Sequence, residues 1–204
     1  MNARWLLVVA ILAAAIPVWG DGPGDNIVDK VRKIPPPGIA VPDQDRAELQ
    51  QGLDELHKDI AGLEQALKGK AALLELIPDV AVYHKAVRYA LQYDEFFSPN
   101  EIKAARGLLA QGKERAALLR QGKTPWTTAT GLVVRGYVSK IDGSVQPYGL
   151  VVPASYAANT PHAFRLDCWF HGRGEKLSEV SFIDGRQKQV GQFAPRNAFV
   201  LHPY

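Results

Sequence analysis

The stretch with the clearest chemical use is His171-Gly172-Arg173-Gly174, which joins an alternating apolar segment to an amphipathic one. Two glycines in four residues let the backbone turn sharply and leave its amides uncovered. Near the start of a helix, where the local field favours anions, such amides can hold the oxyanion that develops in acyl transfer, an effect of about 3–4 kcal/mol per donor. A plain strand-to-helix turn, with glycine solving geometry alone, accounts for the same residues equally well. No nucleophile accompanies the loop. The sequence contains no G-x-S-x-G, and Gly143-Ser144 falls in a hairpin turn rather than a nucleophile elbow. His202 closes a segment near the loop, but without a serine partner it reads as a strand-end histidine and not as a triad base.

Other site chemistries find no support. The histidines (His57, His84, His162, His171 and His202) are not paired at i, i+4, and no Cys/His cluster has metal-ligand spacing. There is no P-loop and no G-x-G-x-x-G after a strand, so no cofactor is expected. The single cysteine, Cys168, lies in the apolar run Phe164–Phe170 and is expected to be buried.

The elements that would position the loop follow from periodicity. Asp21–Val41, with Gly22-Pro23-Gly24 and Pro35-Pro36-Pro37-Gly38, reads as a linker (residues 21–42) holding at most a helical turn at Ile27–Val31. Residues 43–122 read as about three helices. Leu49, Leu53, Leu56, Ile60, Leu63 and Leu67 form one stripe, with Asp43 or Asp45 as cap and Gly69 as stop. This stripe suits a helical hairpin within the chain better than a short coiled coil. A second run follows Pro78-Asp79 with Val80, Tyr83, Val87, Ala90 and Leu91 on one side. Ser98-Pro99-Asn100-Glu101 opens a third in the manner of a capping box. From residue 123 the period changes to two. Thr127–Val138 and Val145–Val152 read as a hairpin about Asp142-Gly143, Phe164–Phe170 as a third strand, Leu177–Gln189 as a helix and Asn197–His202 as a fourth strand. Strand, helix, strand is a βαβ unit, so the third and fourth strands should be parallel.

Several stretches resemble secreted prolyl-oligopeptidase-type serine hydrolases of the α/β-hydrolase fold. They are Tyr83-His-Lys-Ala-Val87, Tyr93-Asp-Glu-Phe-Phe97, Asp142-Gly-Ser-Val-Gln-Pro-Tyr-Gly-Leu150, Trp169-Phe-His-Gly-Arg-Gly-Glu175 and Val200-Leu-His-Pro-Tyr204. The resemblance implies an α/β fold: a helical region, then a partial α/β-hydrolase-type sheet over residues 123–204. It implies that His171, Gly172, Arg173 and Gly174 lend backbone amides to an oxyanion hole, the His171 and Arg173 side chains shaping the loop. It places the fourth strand beside the hairpin and the third outside it. Serine, acid and histidine would lie beyond Tyr204. The chain is thus expected to be the front portion of a secreted hydrolase of ester or peptide bonds, inactive alone. Without a fifth strand, Phe164–Phe170 is an apolar edge through which self-association is expected. The other reading is a non-catalytic exported binding module that uses the helical stripe or the sheet edge.

Bulk properties agree with a globular chain. Of 204 residues, 47% are hydrophobic and 22% charged, too apolar for general disorder. The net charge of +3 is spread over helix faces rather than gathered in a stripe, so nucleic acid is not an expected partner. Arg4, the apolar run Trp5–Ile16 and Pro17-Val18-Trp19-Gly20 have the form of a leader over residues 1–20, cut after Gly20. The expected location is therefore secreted or periplasmic, with membrane contact through the leader only. The run is short for a bilayer span, though an uncleaved anchor is the other reading.

Overall fold

In the computed structural model, residues 27–30, 33–157, 163–172 and 174–204 are described. The leader read at residues 1–20 lies outside them. The chain divides between Ile34 and Pro35. Before that point the described residues hold one 3-10 turn, Val28–Lys30. After it come helices α1 (Asp43–Ala66), α2 (Ala71–Leu74), α3 (Pro78–Gln92) and α4 (Pro99–Arg120). Strands β1 (Gly131–Val138), β2 (Val145–Val152) and β3 (Arg165–Cys168), helix α5 (Glu179–Lys188) and strand β4 (Ala198–Pro203) follow. The architecture is mixed α/β.

The leucine stripe of α1 does what its spacing requires. Leu49, Leu53, Leu56, Leu63 and the following Leu67 are buried in the chain's own core with Tyr83, Val87, Leu108 and Leu119. Neither Asp43 nor Asp45 caps the helix. Pro42 holds the cap position and its carbonyl accepts from the Arg46 amide at 2.9 Å. Both aspartates fall inside the first turn, and Asp45 pairs with Arg106 of α4 at 2.5 Å. The capping box expected at Ser98 also fails to close. The Ser98 hydroxyl makes no cap bond, and Glu101 Oε2 accepts from Phe97 N at 3.0 Å, one residue before the cap. The turn α2, too short to show a period, was not anticipated. The second half of the expected linker is docked: Ile39 N donates to Phe96 O at 2.7 Å, and Val41 is buried.

The sheet runs in the order β1-β2-β4-β3. β1 and β2 form the hairpin, with Val138 opposite Val145 and Gly143 at φ 72° in the turn. β4 pairs antiparallel with β2 and parallel with β3, so the βαβ reading and the inner place of the fourth strand both hold. β1 begins later than Thr127 because Pro125–Thr127 is a 3-10 turn. There the Thr127 hydroxyl donates to Thr124 O at 2.8 Å, drawing the chain out of the ladder. The helix before β4 starts at a cap not anticipated: Ser178 and Ser181 bond reciprocally in a capping box. Cys168 is exposed, contrary to the expected burial. β3 is an edge strand with β4 as its neighbour in the sheet, and Leu166 and Phe170 on the same alternation are 56% and 77% exposed.

Helices and sheet share one core, which runs from Leu49 through Val87 to Val134 and Ile183. They are also joined by a buried carboxylate. Asp79, 1% exposed at the start of α3, accepts from Trp126 Nε1 at 2.8 Å, Arg135 Nε at 3.0 Å and the Gly136 amide at 2.8 Å. Arg115 of α4 donates to Asp79 O at 3.1 Å and to Val134 O at 2.8 Å. The approach requires glycine at 136, where a Cβ would lie 2.2 Å from the Pro78 carbonyl oxygen. Asp79→Asn removes a buried charge from its arginine and turns an amide group toward donors. It is expected to cost about 3 kcal/mol in urea unfolding followed by circular dichroism. Gly136→Ala is expected to cost about 1–3 kcal/mol, since backbone must move.

Candidate functional site

β3 and β4 are parallel, so their carboxyl ends emerge on the same side of the sheet. In open α/β sheets this is where ligands bind. A cleft of about 1140 Å³ lies there. Of the four loop residues singled out by sequence, His171, Gly172 and Gly174 line it, and Arg173 lies outside the described residues. His171 is exposed and its Nδ1 lies 2.8 Å from the Gly172 carbonyl oxygen. A carbonyl only accepts, so Nδ1 carries a proton and donates it.

One part of the expected geometry is not present. The loop amides do not sit at the helix N-terminus. α5 begins at Glu179, after the turn in which Leu177 N donates to Gly174 O at 3.3 Å. Its first amides are served by the Ser178 hydroxyl, which accepts from Ser181 N at 3.2 Å. The helix field is therefore directed at its own cap, and any anion held by Gly172 is held by loop amides alone.

The same cleft contains His202, at the carboxyl end of β4. Its side chain is 2% exposed. Arg186 Nη1 of α5 lies 3.1 Å from His202 Nδ1. Arginine can only donate, so Nδ1 accepts and Nε2 bears the proton. Burial first, then the nearby Arg186 and His171 charges, holds the imidazole below its usual pKa. Among the described residues Nε2 has no hydrogen-bond partner. A buried donor left so costs about 1–3 kcal/mol, and native structures leave few of them. Arg186 reaches the ring because Gly149 faces His202 across the β2–β4 ladder. A Cβ at 149 would stand 2.8 Å from Arg186 Cγ.

The rest of the cleft is aromatic and polar. Trp169 lines it and stacks on Phe193 at 5.6 Å and 12°. Phe170 and Phe182 also line it. Sequence reasoning had placed His202 near the loop but missed Arg186 and the buried N–H. The available signal was a glycine, Gly149, in the middle of an apolar strand with no turn to explain it. Among the described residues no group of three or more His, Cys, Asp or Glu is placed to hold a metal ion, and no helix is long and apolar enough to cross a membrane. Compared with known protein families, curated proteins and solved structures, the chain matches none.

Two histidines carry a shared pH signature. His84 of α3 faces His57 of α1 at 5.6 Å between ring centroids. Burial and then the His57 charge bring its pKa down to about 4; His202 is lowered as well. Both rings bind protons more tightly in the unfolded chain. Their contribution to stability is complete above about pH 6.5 and is lost as pH falls towards the lowered values. Urea midpoints at pH 7.5 and 5 should show this loss, and His84→Gln should make it smaller by roughly 1 kcal/mol. An equal loss in the variant would count against His84 as a source.

Proposed function

We propose that this chain supplies the oxyanion-loop side of an exported serine hydrolase that cleaves ester or peptide bonds, and does not itself hold the nucleophile. The observation that carries the reading is the position of the glycine loop. His171, Gly172 and Gly174 open on the large cleft at the carboxyl ends of two parallel strands. The sheet order β1-β2-β4-β3 with β2 reversed agrees with the strand placement that the resemblance implies. Gly172 has nothing within 4 Å of where a Cβ would stand, so that side of the residue is open. Export rests on the leader-like residues 1–20.

The second reading, a non-catalytic exported binding module, is favoured by one observation, the exposed β3 edge with Leu166 and Phe170. Its other surface, the helical stripe, is occupied within the chain's own core.

The 204-residue chain is expected to hydrolyse p-nitrophenyl butyrate no faster than buffer and to remain unlabelled by a fluorophosphonate. Turnover or labelling would sink the absence of a nucleophile. Assembled with a segment that supplies G-x-S-x-G, acid and histidine, the loop should show its use through Gly172→Pro. This substitution deletes one amide donor and is expected to lower kcat about 10²–10³-fold. An unchanged kcat would remove the loop from the oxyanion role and leave the binding-module reading.

A further inference from the structure

The Nε2–H of His202 is a fixed donor without an acceptor among the described residues. Its ring cannot turn over to use it, because Nδ1 is held by Arg186 at 3.1 Å. The arginine itself has no carboxylate partner among the described residues, while the acidic residues lining the cleft are engaged elsewhere. Asp184 pairs with Lys188 at 2.6 Å, and Glu101 accepts from Phe97 N at 3.0 Å. Gly191 lies beside the same edge of the imidazole. A Cβ there would stand 3.8 Å from His202 Nε2 and 3.2 Å from Arg186 Nη1. Glycine therefore lets the chain backbone pack closely against the arginine and the imidazole. Trp169 and Phe170 give the same cleft an apolar wall, and Phe170 is 77% exposed.

We infer that this cleft binds an aromatic carboxylate, with one carboxylate oxygen on the His202 Nε2–H and the ring against Trp169 and Phe170. The oxygen accepts from His202 Nε2–H and lies beside the Arg186 guanidinium. Charge comes from the arginine, direction from the neutral imidazole, and area from the aromatic wall. Arg186 also acts as a positioning residue, since its bond to Nδ1 keeps the proton on Nε2. The site stands apart from the hydrolase reading: it needs no nucleophile and no oxyanion loop.

The test uses the full 204-residue chain and sodium benzoate. Histidine and indole 15N–1H spectra are expected to show His202 protonated on Nε2 before ligand is added. Benzoate should then move the His202 Nε2 and Trp169 indole signals along one common saturation curve. Arg186→Gln, with its fold checked by circular dichroism, should weaken benzoate binding at least about tenfold, the scale of one hydrogen bond to a charged group. His202→Gln, which keeps an N–H donor, should bind more tightly than His202→Leu. A His202 signal unmoved at saturating benzoate overturns the inference on the unaltered chain, whatever the variants do. Equal affinity in Arg186→Gln overturns it too. Benzyl alcohol binding as tightly as benzoate would overturn the carboxylate, and inorganic phosphate binding as tightly would overturn the aromatic ring.

Discussion

The Asp79 carboxylate is what makes a helical bundle and a sheet into one body. Its donors come from a 3-10 turn and a strand that lie 47 to 57 residues further along the chain. It collects them at the start of α3, where the backbone of β1 passes close enough to forbid any side chain at 136. Arg115 completes the joint from α4 by holding the carbonyls of Asp79 and Val134 together, its guanidinium 5.1 Å from the Tyr83 and Trp126 ring centres. Apolar burial alone would let helices slide over the sheet, since hydrophobic attraction has no direction. Charge-assisted hydrogen bonds to one buried acceptor set both register and angle.

With α3 fixed on the hairpin, the place of α5 is also decided. Lys85 of α3 reaches Glu179 of α5 at 2.5 Å, and Gln187 donates to Tyr83 at 3.0 Å and to Gln111 at 2.6 Å. These contacts lay α5 across the sheet so that Arg186 passes over Gly149 to His202. The polarity of the cleft is therefore a consequence of packing on its far side. The two imidazoles are held differently: His171 Nδ1 donates to the Gly172 carbonyl, whereas His202 Nδ1 accepts from Arg186 and leaves its Nε2–H as a donor.

The features legible in the sequence were those written in local period. The leucine stripe of α1 and the Asp142-Gly143 turn follow from spacing, and the structure buries or turns them accordingly. The parallel pairing of β3 and β4 followed from chain topology. What escaped depends on residues far apart in sequence. Asp79 looks like an ordinary first-turn acid until Trp126 and Arg135 are brought to it. His202 looks like a strand end until Arg186 selects its tautomer. Cys168 was misplaced because alternation tells which residues share a side of a strand, not whether anything covers that side. The capping box at Ser98 failed for a related reason: the motif was present, but the approach of the chain offered Glu101 the amide of Phe97 instead.

The cleft is built on two strands of unequal standing. β4 lies inside the sheet, bonded to β2 and β3, whereas β3 is four residues long and has β4 beside it. Amide protection in a sheet falls toward its edge, where opening one ladder frees the strand. His202 thus stands on a slowly exchanging floor, while the neighbouring strand that carries Cys168 opens at far lower free energy. The two strands that meet at the cleft therefore exchange their amides at different rates, the inner one set by global unfolding and the outer one by local fraying.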